Sequence, residues 1–168
     1  MIEVPLTQGK VALIDDEDAE RVLAHKWTLL TINRKDKITY YARRNVAPQG
    51  WRKGRQKSIL LHRFILDAPD GVQVDHINHD GLDNRRSNLR LATNAQNHCN
   101  IPSHRNQFGF RGIESPKRFN GGYGARIKVN GEVVRIGPFK TAEEAARAYD
   151  LLARHYHGEF ATLNFPEE

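Results

Sequence analysis

The stretch from Val72 to Asn100, VQVDHINHDGLDNRRSNLRLATNAQNHCN, constrains this chain more than any other. Val72 and Val74 alternate with polar residues, the period of a short strand, and deliver Asp75 and His76 at its end. His79-Asp80-Gly81-Leu82-Asp83-Asn84 is a loop dense in turn formers. Leu89 and Leu91 alternate with Asn88 and Arg90, a second short strand. Thr93 and Gln96 stand three apart, as a capping box requires, which predicts a helix from Asn94. Asn97 then lies one turn into that helix and faces back toward Asp75. The expected order is strand, loop, strand, helix, with Asp75, His76 and Asn97 converging.

Such a convergence suits phosphodiester hydrolysis. Water attacks a phosphodiester only if one group takes its proton and another offsets charge on the phosphate. His76 has the ordinary pKa nearest neutrality and suits the first task. Asp75 and Asn97 suit the second, by offering oxygen to a hard divalent cation. Neighbouring strand residues point to opposite faces, so Asp75 and His76 divide the work rather than share one ion. Taken singly, an Asp-His pair is most often a solvated loop pair, Asn88 a turn residue and Asn97 a polar helix position. Their joint spacing, with the capping box, favours catalysis. His79, His98 and His104 read as loop or phosphate-facing residues rather than ligands.

Asp75-His76, Asn88-Leu89-Arg90 twelve residues on and Asn97 nine further on resemble the HNH nucleases with a ββα-metal motif, in the Asn-terminated variant of phage and intron homing endonucleases. Leu61-His62-Arg63 also fits the approach to that motif. The resemblance implies that His76 is the general base and that Asp75 and Asn97 bind Mg²⁺ or Mn²⁺. It implies that Asn88 is structural, tying the loop to the backbone. The helix lacks the run of His ligands of bacteriocin nucleases, and no paired CxxC is present, so no structural zinc is expected.

The chain has 168 residues, a net charge of +6 and a single cysteine. Its pI is near 9.6 and its mean hydropathy is −0.66. That balance points to a polyanionic partner. Cys99 alone excludes a disulfide framework and a Cys-rich zinc site, and fits a reducing compartment. With no N-terminal apolar segment or long apolar run, neither secretion nor membrane insertion is expected. The expectation is a cytoplasmic protein of a bacterial or phage-infected cell, with no obligatory protein partner.

Residues 1–57 read as a β-rich region with a basic loop. Ile2, Val4 and Leu6 alternate, Thr7-Gln8-Gly9-Lys10 turns, and Val11-Ala12-Leu13-Ile14 returns. Asp16 opens a short helix with Ala19, Val22 and Leu23 on one face. Trp27 to Ile32 and Ile38 to Arg43 form a hairpin around Asn33-Arg34-Lys35-Asp36, with Trp27 in the core. From Lys37 to Leu66 there is no Asp or Glu. Arg43, Arg44, Arg52, Lys53, Arg55, Lys57 and Arg63 fall there, with Tyr40, Tyr41 and Trp51 interleaved. Beside a nuclease motif, this run reads as a phosphate-tracking surface rather than a merely solvated face. Residues 45–57 are expected to be a loop that orders on DNA, and Ser58 to Leu66 a helix with Leu61 and Ile65 on its buried face.

The motif unit spans 58–100, and 101–107 is the linker candidate. In 108–166, Asn120-Gly121 and Asn130-Gly131 are hairpin turns joining strands near 109–115, 123–129 and 132–137. Thr141 and Glu144 cap a helix running to about Tyr156, whose Ala145, Tyr149, Leu152 and Tyr156 should cover one sheet face. Two-residue turns place Ile127 opposite Val134 and Ala125 opposite Ile136 on that side. Arg126 then opposes Arg135 on the other face, beside Lys128. Opposed like charges are unfavourable alone and favour a polyanion as partner.

This segment resembles the ethylene-response-factor (ERF) type of DNA-binding domain. The likeness rests on Arg111-Gly112-Ile113, Tyr123-Gly124-Ala125-Arg126-Ile127, Ile136-Gly137-Pro138-Phe139, Thr141-Ala142-Glu143-Glu144-Ala145-Ala146, Ala148-Tyr149-Asp150 and Leu163-Asn164-Phe165-Pro166. It implies a three-stranded sheet in the major groove, with Arg111, Arg126, Lys128 and Arg135 on or near the reading strands. Glu114 and Pro116 depart from the plant pattern, which commonly has basic residues there. The reading-sheet tryptophans are also missing, so base preference does not carry over.

The expected architecture is α+β: a small N-terminal sheet leading into the ββα motif, then a three-stranded antiparallel sheet packed on one helix. The expected function is metal-dependent, homing-type hydrolysis of double-stranded DNA, a nick leaving 5′-phosphate and 3′-hydroxyl ends. The alternative is a DNA-binding regulator that retains a nuclease fold. An RNA-binding module is weaker, for want of a base-stacking signature.

Overall fold

Alternating apolar residues set the first strands. Strand β1 (Ile2–Pro5) pairs antiparallel with β2 (Val11–Ile14), from Ile2 opposite Ile14 to Pro5 opposite Val11. Val4, Ala12 and Ile14 point into the core. This computed structural model describes residues 1–34, 37–46, 57–100 and 106–167, with 116 and 118 as backbone only. The chain is mixed α and β and divides into two units, Met1–Asn97 and His98–Glu168.

In the first unit a single tight turn at Asp16-Glu17-Asp18 precedes helix α1 (Ala19–Leu23). Val22 is fully buried, but Leu23, expected beside it, is 52% exposed. Adjacent helical residues lie about 100° apart, so a helix this short presents only one of them to the core. Strands β3 (Thr28–Arg34), β4 (Lys37–Val46) and β5 (Lys57–Leu60) form one antiparallel sheet in that order. The β3–β4 register runs from Thr28 opposite Arg43 to Arg34 opposite Lys37; residues 35–36 of its turn lie outside the described residues.

The helix expected over Ser58 to Leu66 is corrected. Its first part is β5, with Leu60 opposite Arg43 and Ser58 opposite Asn45, and helix α2 spans only Leu61–Ile65. The open edge of β4 satisfies the backbone of 57–60 as a ladder, and the chain coils only where that ladder ends. Leu61 and Ile65, one turn apart, are both fully buried. They share a core with Val4, Ile14, Val22, Trp27 and Ala42, and with Val74 and Leu89 of the motif, so residues from 1–57 and from 58–100 pack in one cluster.

The motif follows as β6 (Gln73–His76), β7 (Leu89–Ala92) and helix α3 (Asn94–Cys99), with Val74 opposite Leu91 and His76 opposite Leu89.

In the second unit β8 (Ile113–Phe119), β9 (Gly122–Val129) and β10 (Glu132–Phe139) form a sheet with β9 central. Asn120-Gly121 and Asn130-Gly131 both have positive φ, as two-residue hairpins require. Ile127 opposes Val134, Ala125 opposes Ile136 and Arg126 opposes Arg135. The first strand begins four residues later than the expected 109–115. Asn106 holds the preceding segment as a loop, accepting from the Phe108 amide at 2.9 Å and donating to the Ile113 carbonyl at 2.7 Å. At Gly112, φ is +73° and a Cβ would stand 2.0 Å from the Tyr149 ring, so no side chain fits.

Helix α4 (Ala142–His157) lies on that sheet through Ala145, Ala146, Tyr149 and Ala153, with Leu152 packed at the margin. Tyr156, expected inward, is 42% exposed, and Phe160 beyond the helix is buried instead. Asp150, 2% exposed, accepts from the amides of Asn164 and Phe165 at 2.8–3.0 Å, and the Asn164 side chain accepts from the Arg111 amide at 2.7 Å. Three stretches that carried the ERF likeness thus meet in one hydrogen-bonded knot.

Candidate active site

Between the motif strands the loop is held by side chains rather than apolar burial. The Asn88 carbonyl oxygen of the side chain accepts from the Asn78 amide at 2.9 Å, and its Nδ2 donates to the Asp83 carbonyl at 2.7 Å. Asp83 accepts from Arg85 at 2.7 and 2.8 Å and from Asn78 at 2.9 Å, which holds its carboxyl below the ordinary carboxylate range. Behind the loop, Leu13 of β2 bonds Leu82 and Asn84 through backbone at 2.8 Å each. The sequence puts turn formers here because local polar bonds replace a ladder.

His76 ends β6 with 7% exposure. Its Nε2 lies 3.5 Å from Oδ1 of the fully buried Asn84, whose Nδ2 donates to the Leu82 carbonyl at 2.9 Å. That second bond turns the Asn84 acceptor toward His76 Nε2. The His62 ring stands edge-on to His76 at 4.9 Å, and Tyr41 approaches both rings at 5.7 and 6.0 Å. Burial lowers the His76 pKa, against the raising pull of Asn84 and of the Asp75, Asp80 and Asp83 carboxylates. Burial, with His76 and Arg63 in support, holds His62 down to about 3. His76 is therefore neutral at physiological pH, the form that accepts a proton.

Asp75 is 5% exposed, and its Oδ2 accepts from Arg90 Nε at 2.9 Å and Nη2 at 2.7 Å across the β6–β7 pair. Asn97 is half-buried on α3 and takes no side-chain hydrogen bond among the described residues. The capping box that starts α3 is reciprocal: Thr93 Oγ1 accepts from the Gln96 amide at 3.2 Å, and Gln96 Oε1 from the Thr93 amide at 2.8 Å. Among the described residues no three His, Cys, Asp or Glu side chains cluster as a metal centre. Asp75 and Asn97 would offer one carboxylate and one amide oxygen. That set suits Mg²⁺ or Mn²⁺ completed by water and phosphate oxygen, and not zinc.

Sequence reading assigned no site role to Arg90, Asn84 and Tyr41, and placed His62 only in the approach to the motif. Arg90 was within reach, because the alternation around Val74 and Leu91 sets it opposite Asp75. Asn84 gave no signal beyond its place in a turn-rich run.

The basic residues part company. Arg52, Lys53 and Arg55 lie outside the described residues. Lys57 is exposed at the start of β5. Arg44 lies over the rings of Trp27 and Phe64, at 5.7 and 4.8 Å, while Arg43 is half-buried on the opposite face of β4. Arg63 is turned inward, donating to the carbonyls of Val72, Ala68 and Pro69, so it braces the approach to β6 instead of facing a phosphate. Arg111 is likewise internal to its unit, its Nε donating to the Tyr149 hydroxyl at 2.8 Å and its Nη2 to the Cys99 carbonyl at 3.3 Å. Arg126, Lys128 and Arg135 are exposed on the outer sheet face.

The strand–loop–strand–helix with a histidine at the end of its first strand is the arrangement expected of a ββα nuclease motif. Residues 67–99 match the family model described as HNH endonuclease. The chain is 34% identical over 145 residues, covering 83% of itself and 71% of the relative, to an uncharacterised HNH endonuclease of Acanthamoeba polyphaga mimivirus. No solved structure gives a significant match. The chain belongs to the HNH endonuclease family. Among the described residues no helix is long and apolar enough to cross a membrane.

Proposed function

We propose that this nuclease hydrolyses phosphodiester bonds in double-stranded DNA as a homing-type, nicking endonuclease that depends on one divalent metal. The observation that carries the reading is His76, buried at a strand end with the Asn84 side chain against its Nε2. His76 accepts the proton of the attacking water, and Asn84 holds the imidazole while it does so. Asp75 and Asn97 would hold the metal, which supplies charge stabilisation at the scissile phosphate and leaving oxygen. Arg90 holds Oδ2 of Asp75 and so fixes the orientation of that carboxylate. Asn88 keeps the loop between the strands in register. The products are 5′-phosphate and 3′-hydroxyl ends.

The second unit is proposed as an ERF-type DNA-binding module, with Arg126, Lys128 and Arg135 its contact residues; Arg43, Lys57 and the basic residues of 52–55 add phosphate contacts. One observation favours the alternative of a binding protein that retains the fold: Arg90 already neutralises Asp75. Supercoiled plasmid incubated with the protein and Mg²⁺ or Mn²⁺ decides between them. The nuclease relaxes the plasmid, stops with chelator and stops in the His76→Ala variant; a pure binder leaves it supercoiled throughout.

A further inference from the structure

Glu114 stands where the ERF resemblance calls for a basic residue, and the structure places it among cations. It faces outward on β8, opposite Gly124 on β9. Gly124 leaves room there that Phe119 fills, since a Cβ would stand 1.9 Å from the Phe119 ring. The Glu114 carboxylate lies 3.0 and 3.2 Å from Arg135 Nε, and 3.7 Å from Arg126 Nε. Its side chain is 15% exposed, beneath arginines that are 34% and 47% exposed. Both arginines approach it through Nε, and among the described residues their Nη groups have no other partner.

We infer that Glu114 is a specificity-determining residue that aims Arg126 and Arg135 at paired acceptors on guanine edges of duplex DNA, an inference that rests on the sheet being the DNA-binding face. Two opposed guanidinium groups repel. One carboxylate beneath them offsets that repulsion, hydrogen-bonded to Arg135 Nε and ion-paired with Arg126 at 3.7 Å, so that the Nη groups are left for a partner. A DNA phosphate must then compete with a carboxylate already in place. The neutral edge of guanine accepts from those Nη groups without displacing it. Glu114 therefore weakens binding to bare backbone and keeps binding to the right base edge.

The test uses the full chain without divalent metal, so that no strand is cut. Three probes are titrated: a duplex selected by the wild-type chain from a random pool, the same duplex with guanine replaced by deazaguanine, which lacks one major-groove acceptor, and an unrelated duplex of equal length. Glu114→Gln is expected to bind the unrelated duplex about 3–10-fold tighter and lose most of the preference for the selected one. Glu114→Asp should restore that preference, and the deazaguanine duplex should bind wild type about tenfold more weakly. Melting temperatures of the variants identify a folding defect, and rescue by the aspartate variant excludes a purely structural role. If Arg126→Ala with Arg135→Ala weakens binding but Glu114→Gln matches wild type on all three duplexes, the inference about Glu114 is overturned alone. If the arginine variant also binds as wild type does, the assignment of this sheet to DNA falls as well.

Discussion

The two units differ in what they bury beside their candidate functional residues. Around the motif the chain buries Asp75, His76, Asp83, Asn84 and Asn88, and ties them to one another and to backbone. In the second unit the interior is mostly alanine, tyrosine and isoleucine with Asp150 as a buried structural anchor, and the charges of interest lie outside on the sheet. A reactive histidine needs a held ring and a neutral state; Asn84 supplies the first, and burial supplies the second against the raising pull of the polar neighbours. A surface that must meet a duplex needs exposed cations on a rigid support, and an apolar sandwich supplies that.

Removing the general base breaks the comparison most sharply. His76→Ala should lower the nicking rate by about 10²–10⁴-fold while leaving duplex affinity and melting temperature nearly unchanged. Single-turnover cleavage of supercoiled plasmid measures it. A variant that nicks at the parent rate would remove His76 from the role.

The second largest effect contrasts two asparagines. Asn88→Ala strips partners from the Asn78 amide and the Asp83 carbonyl, each costing about 1–3 kcal/mol when left buried and unmet. Asn164→Ala does similar damage to the Arg111 amide and Asp150 in the other unit. Both should lower the urea midpoint. Only Asn88→Ala should abolish nicking at temperatures where the protein remains folded; equal loss of nicking in both would erase the distinction.

Periodicity and turn chemistry made most of this legible in the sequence. Both Asn-Gly hairpins, the register of Arg126 against Arg135 and both Thr-capped helices follow from local rules that tertiary packing does not override. The failures have a common cause in long-range partners. Residues 57–60 are a strand because β4 offers an edge, which local propensity does not record. Arg63 and Arg111 look like surface cations until the carbonyls they bind are in view. Asn84 is silent in sequence because a buried asparagine and a turn asparagine are spelled alike. At the motif, spacing singled out Asp75, His76, Asn88 and Asn97, whereas the residues that set their state, Arg90, Asn84 and His62, come from strand pairing and core packing.

Acid should discriminate through His62. Its pKa is held at about 3 in the fold against an ordinary 6.5. Between those values the unfolded chain binds a proton that the folded chain does not, so stability rises with pH across the window. The contribution is complete above 6.5 and is lost as pH falls toward 3. His62→Phe keeps a ring beside His76 but removes the titration, so its urea midpoint should fall less than wild type between neutral and mildly acid pH. Parallel midpoints would show that His62 is protonated in the fold.

The smallest effect is the most even-handed, because the same substitution is made in both units. Thr93 and Thr141 each accept from the amide three residues on, at 3.2 and 3.1 Å. Replacing either by alanine should cost about 0.5–2 kcal/mol of helix stability. The helices differ in what else holds them. α4 has sixteen residues and six buried positions, whereas α3 has six residues and none buried. Packing therefore retains α4 when its cap is lost, but α3 relies on the Thr93–Gln96 pair to hold Asn97 in place. Thr141→Ala should shift the melting curve slightly and leave nicking unchanged. Thr93→Ala should shift it no more, yet raise the concentration of Mg²⁺ needed for half-maximal nicking. A Mg²⁺ requirement that moves equally in both variants would show that Asn97 is not positioned by its cap.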